Sequence, residues 1–90
     1  MRLDKFLVVA RLVKQRTRAK ELCEAGHVKI GGQNAKASRG VRVGEIVELT
    51  LPNRLLTVRV EAVPTSKSVP KAEAPTLYEI VAEERTGPLK

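Results

Sequence analysis

Apolar residues change their spacing once along this chain, and Gly26 marks the change. Before it, Leu3, Phe6, Leu7, Ala10 and Val13 recur at steps of three and four, the period of one helix face. After it, Leu56, Val58, Val60 and Ala62 alternate with Thr57, Arg59 and Glu61, the period of a strand with one covered face. Helices first and strands afterwards, in a chain of 90 residues, predict an α+β domain. In it an N-terminal helix-turn-helix packs on a small, mostly antiparallel β-sheet.

Local signals place the elements. Asp4 falls in the first turn of helix one, where a carboxylate suits the helix dipole. Val8 and Leu12 lie outside the apolar stripe and are open to the sheet or to a partner. Gln15-Arg16 reads as a tight connection, and Thr17 as the N-cap of helix two. Lys20 stands where a capping box would carry Glu, so the box is incomplete. Ala19, Leu22 and Cys23 form the second apolar face, and Gly26 is placed to end that helix in a left-handed conformation.

Val28-Lys29-Ile30 then runs into Gly31-Gly32, a pair suited to a two-residue hairpin turn, with a return over Gln33 to Lys36. A loop at 37–40 and a turn at Val43-Gly44-Glu45 precede a strand over 46–51, which Pro52-Asn53 breaks. Residues 1–63 are expected to form the domain and 76–85 its closing strand, with Tyr78, Ile80 and Ala82 on one face. The intervening 64–75, rich in Pro, Lys and Ser, is predicted to be a mobile loop, and 86–90 a frayed tail.

Charge is distributed as unevenly as period. The whole chain is +7, yet residues 1–42 alone carry eleven basic and three acidic side chains, a balance of +8. The remainder is −1. An excess confined to one half predicts a binding face for a polyanion. Only Phe6 and Tyr78 are aromatic, too few for a protein that stacks unpaired bases on exposed rings. Folded RNA, read through shape, phosphates and 2′-hydroxyls, fits better. The expected contacts are Arg2, Lys5, Arg11, Lys14, Arg16, Arg18, Lys20, Lys36 and Arg39, supported by the N–H groups at the start of helix two near Thr17. Arg42 extends the same loop. Charge reversal at Arg2 and Arg16 is expected to weaken RNA binding while the fold survives. Duplex DNA is disfavoured, because helix two lacks an Asn/Gln-rich base-reading face.

Other classes find little support. One cysteine cannot close an internal disulfide, and no apolar run approaches the roughly 20 residues that span a bilayer. The N-terminus does not read as a signal peptide, so a reducing, cytoplasmic setting without membrane contact is expected. His27 stands without an orienting partner, Cys23 lies on an apolar stripe, and Glu45 and Glu48 read as turn and strand residues. None of these makes an enzyme, a metal site or a cofactor site.

The ordered set Arg2-Leu3-Asp4, Arg16-Thr17-Arg18-Ala19, Gly26-His27-Val28-Lys29-Ile30-Gly31-Gly32, Lys36 and Val43-Gly44-Glu45 resembles the S4 RNA-binding domain. Gly31-Gly32 replaces that family's frequent Asn-Gly, and Gly44-Glu45 its Gly-Asp, with the local physics kept. Over its whole length the chain is similar to the small stand-alone RqcP family of bacterial ribosome-associated quality control. Residues 2–7, Lys36-Ala37-Ser38 and Tyr78-Glu79-Ile80 carry that likeness. It implies binding to ribosomal RNA and peptidyl-tRNA on the large ribosomal subunit, cooperation with RqcH during alanine tailing, and no catalysis. A monomer in isolation is expected. The alternatives are a heat-shock-type factor that recycles large subunits carrying stranded peptidyl-tRNA, or a general ribosome-assembly module. A basic C-terminal extension marks the heat-shock relatives, whereas here an acidic strand precedes Lys90.

Overall fold

The computed structural model describes residues 1–52, 54–63 and 77–85. Two helices, α1 (Leu3–Val9) and α2 (Arg16–Glu24), precede five strands. These are β1 (Val28–Ile30), β2 (Gln33–Asn34), β3 (Ile46–Leu51), β4 (Arg54–Val60) and β5 (Tyr78–Arg85). They form one sheet in the order β2-β1-β3-β4-β5, with every pairing antiparallel. The expected architecture is the observed one.

The core lies between the helix pair and one face of the sheet. Leu3, Phe6 and Leu7 of α1 and Ala19, Leu22 and Cys23 of α2 are buried together with Val28, Val47, Leu49, Leu56, Val58 and Val60. Each large apolar side chain so buried contributes about 1.5–3 kcal/mol, which makes this contiguous cluster the main stabilising term. Val8 and Leu12 are partly buried against the same cluster.

Helix one is shorter than its apolar stripe. It stops at Val9, yet Ala10 and Val13 remain buried, because the chain turns back over the helix end. The amides of Leu12 and Val13 both donate to the Leu7 carbonyl, at 3.0 and 3.1 Å. Arg11 and Lys14 therefore belong to the connecting turn rather than to the helix. Arg16 is the first residue of α2, Gln15 is its N-cap, and no side chain caps it. Thr17 is not the N-cap: the helical backbone starts one residue before it, which places its hydroxyl inside the first turn. Gly26 does end α2 in the left-handed region, at φ +78°.

Gly31 and Gly32 both have positive φ, and Ile30 pairs with Gln33 across them, a two-residue hairpin turn. The return strand is shorter than expected and covers only Gln33–Asn34. The alternation of β4 ends at Val60, and Ala62 is exposed. In β5 the register slips between Thr57 and Val58, so Ile80 pairs with Val58 but Ala82 pairs with Thr57. Val81 is the extra residue, and Ala82 lies on the opposite face from Tyr78 and Ile80. Nearly all of this edge strand is exposed, and within it only half-buried Tyr78 packs against the core. The mobile loop expected over 64–75 and the tail over 86–90 lie outside the described residues.

Candidate nucleic-acid interface

Asp4 organises the cationic face. Its side chain is fully buried, and it accepts from Arg16 Nε at 3.0 Å and Arg2 Nε at 3.3 Å. The Lys5 amide adds a third bond at 2.8 Å. Burial pushes the Asp4 carboxyl up, but the Arg16 and Arg2 hydrogen bonds, the Arg16 charge and the Lys5 amide outweigh it. The net effect holds Asp4 below its ordinary value. Both arginines spend Nε on Asp4 and remain 48% exposed, so their Nη groups face outward without partners among the described residues. A guanidinium fixed at one nitrogen and open at two is suited to phosphate oxygens.

The 36–41 loop holds this arrangement in place by capping α1. Leu3 N–H donates to the Arg39 carbonyl at 2.8 Å, and Asp4 N–H to the Ala37 carbonyl at 3.1 Å. Val41 N–H donates to the Met1 carbonyl at 2.9 Å. The first free amides of α1 are thus all satisfied internally. At α2 the corresponding amides of Arg16, Thr17 and Arg18 have no acceptor among the described residues.

Tying the loop to helix one opens a groove of about 650 Å³ between α2, the β1-β2 hairpin and the 36–38 segment. Arg2, Lys20 and Lys36 line it as cations, with Asn34 and Ser38 as neutral polar groups. Glu24 is its one acid, and Cys23, Gly26, Ala35 and Ala37 complete its lining. Three of the expected contacts therefore converge, and Arg16 joins them through Asp4.

The other expected contacts are placed differently. Lys5 is half-buried, and Arg11 and Lys14 are exposed on the interhelical turn. Arg18 lies 3.5 Å from Glu21, an exposed pair worth little. Arg39 is clamped by both guanidinium Nη atoms to Glu45, at 3.1 and 2.9 Å. That hydrogen bonding holds Glu45 below the usual carboxylate range, and the Arg42 amide helps. Arg39 is thus less available than Lys36.

Sequence reading missed the role of Asp4, which it placed only at the helix dipole. The signal was present: Asp4 is one helical turn from Leu7 and Val8, at the border of the apolar stripe, with an arginine two residues before it. In the second half two arginines are neutralised, Arg54 by Glu83 at 2.8 Å and Arg59 by Glu61 and Glu79. Cys23 is buried, and desolvation pushes its thiol up, which suits a packing role. His27 is exposed and serves through its backbone, donating to Leu22 at 2.8 Å and accepting from Thr50 at 2.8 Å.

The helix pair, hairpin and cationic groove together define an RNA-binding module of the S4 class, and the S4 domain family model matches residues 1–47. The chain belongs to that family. Within it, the chain belongs with the RQC P-site tRNA stabilizing factors. The Bacillus subtilis factor is 46% identical over 88 residues, covering 97% of this chain and 99% of its own. The Halalkalibacterium halodurans factor is 46% identical over 84 residues, 93% of each chain. A trimeric structure of heat shock protein 15 from Vibrio cholerae matches with a TM-score of 0.82 at 34% identity, over 91% of this chain and 82% of that one.

Proposed function

We propose that this protein is a non-catalytic RNA-binding factor that holds P-site tRNA on the large ribosomal subunit during quality control of stalled chains. Arg2 and Arg16, anchored by Asp4 beside a groove that also presents Lys20 and Lys36, are the observation that carries this reading. Arginine forks bind phosphates, while the lysines act as point charges along the backbone. Lys5, Arg11, Lys14, Arg18 and Arg39 complete the contact set. The relatives' names as P-site tRNA stabilizing factors support the ligand. Among the described residues, no helix is long and apolar enough to cross a membrane, which is compatible with ribosomal work in the cytoplasm. Support of alanine tailing with RqcH, and a monomeric free state, belong to the same proposal.

Sedimentation with purified particles tests it. The protein is expected to travel with large subunits carrying P-site peptidyl-tRNA at least about tenfold better than with empty subunits or duplex DNA at ~0.1 M salt. Equal affinity for all three would reduce the reading to a general polyanion binder. Deacylated P-site tRNA serving as well as peptidyl-tRNA would place recognition in the tRNA body rather than in a stranded chain.

A further inference from the structure

Glu45 is an acid set against the cationic half of the chain. It lies in the turn before β3, and its backbone is tied to β4. Gly44 N–H donates to the Val60 carbonyl at 2.8 Å, and Val60 N–H to the Glu45 carbonyl at 2.9 Å. From that anchor the Glu45 carboxylate reaches back to the 36–42 segment. It accepts from both Nη atoms of Arg39, at 3.1 and 2.9 Å, and from the Arg42 amide at 2.8 Å. Arg39 Nη1 also donates to the Gly40 carbonyl at 2.9 Å, so the guanidinium plane is held by two partners. The segment so held caps α1 through the Ala37 and Arg39 carbonyls and supplies Lys36, Ala37 and Ser38 to the groove. Neither Arg39 nor Glu45 lines the groove itself.

Stability alone does not account for this clamp. The two side chains are 41% and 22% exposed, and an ion pair so placed adds little to folding. Counterion release favours its absence, because Glu45 neutralises one cation on a face that attracts a polyanion. What the clamp changes is freedom. Arg39 Nε has no partner among the described residues, so a phosphate meets Arg39 along one edge of a fixed fork. An unclamped arginine would swing to any phosphate within its reach. The Glu45 carboxylate also repels a phosphate that arrives out of register, a discrimination that attraction alone does not provide.

We propose that Glu45 is a positioning residue that sets the selectivity of the cationic face, by restricting Arg39 to one orientation and fixing the 36–41 wall of the groove. It acts without touching RNA. It favours one arrangement of phosphates and holds off others by its own charge. Removing this acid then weakens the proper ligand and strengthens improper ones, whereas a simple gain of positive charge would strengthen both. This rests on the RNA-binding reading above.

The test measures thermal unfolding and binding to two ligands, large subunits carrying P-site tRNA and a short DNA duplex, across a KCl series. Wild type, Glu45→Gln, Glu48→Gln and the double variant Arg39→Gln with Glu45→Gln are compared. Glu48→Gln removes the same charge from β3, where Glu48 makes no ion pair among the described residues. Glu45→Gln is expected to unfold cooperatively within about 8 °C of wild type, as loss of one surface pair requires. It should bind loaded subunits about 5–20-fold more weakly and duplex DNA about 2–8-fold more tightly at ~0.1 M salt, with the DNA salt slope larger by about one. Glu48→Gln should move both affinities in the same direction. The double variant should lose the gain on DNA without recovering the loaded subunits. A parallel change in both affinities of Glu45→Gln, or no change in either, would overturn the proposal. Loss of cooperative unfolding would also overturn it, by making Glu45 a support of the fold alone. If wild type itself does not prefer loaded subunits to duplex DNA, the RNA-binding reading fails first, a result distinct from these.

Discussion

A chain carrying Arg2→Glu and Arg16→Glu together is expected to lose its cooperative thermal transition at neutral pH. The two arginines donate the side-chain hydrogen bonds to Asp4, whose own side chain has no exposed surface. Removing both leaves a buried carboxylate supported by the Lys5 amide and faced by two new negative charges. An uncompensated buried charge costs about 3–5 kcal/mol. A domain of this size has roughly 5–13 kcal/mol in total, so the loss alone consumes a large share of it. Adding Asp4→Asn to the double variant should restore part of the transition, because no carboxylate then remains to be charged. The Asp4 pairing thus argues against the expectation that charge reversal spares the fold, and reversal at these two positions should lower stability and affinity together. The same pairing makes the wild type acid-sensitive. Asp4 is lowered in the folded state, so its contribution is complete above the ordinary carboxylate value and disappears as pH falls through the lowered one. Urea midpoints should fall on that acidic side. A double variant that melts cooperatively at the wild-type temperature would show that Asp4 does not depend on these partners.

Lys20→Gln with Lys36→Gln should give the complementary result, a folded protein that binds poorly. Both lysines are exposed, line the groove and form no ion pair among the described residues. Their removal leaves the Asp4 cluster and the core intact, so melting should stay within a few degrees of wild type. Two lost phosphate contacts should weaken binding to loaded large subunits by about 10–100-fold at ~0.1 M salt, with the salt slope smaller by about two. Arg54→Gln with Arg59→Gln is the control, because those charges are already neutralised by acids on β5 and at Glu61. An equal loss in the control would mean that net charge, not the groove, determines affinity.

Much of this was legible in the residues, for identifiable reasons. The stripe of Leu3, Phe6, Leu7, Ala10 and Val13 is buried as its period requires, because burial follows side-chain direction even where the helix has ended. The Gly31-Gly32 turn and the stop at Gly26 were readable because few other residues reach those backbone angles. The end of helix one was not readable, since Arg11 occupies a position that normally announces itself as glycine. The β5 slip was hidden for a similar reason: a bulge at Val81 leaves no mark in an apolar sequence. Arg2 and Arg16 could be named from charge and family likeness, but the pairing of Arg16 with Asp4 could not. Asp4 and Arg16 are twelve residues apart, and only packing of the two helices brings them together. Likewise, Arg39 and Lys36 look alike in sequence, and only the fold places Glu45 beside one of them.

Position-specific photo-crosslinking in cells addresses the central claim, that the N-terminal cationic face grips large-subunit RNA and P-site tRNA. One crosslinking residue replaces Ser38 on the groove wall, and another replaces Glu84 on the edge strand. The predicted result is recovery of large-subunit RNA and tRNA from position 38, on particles carrying peptidyl-tRNA, with little from position 84. RNA captured from position 84 and not from 38, or capture of small-subunit RNA alone, would contradict it.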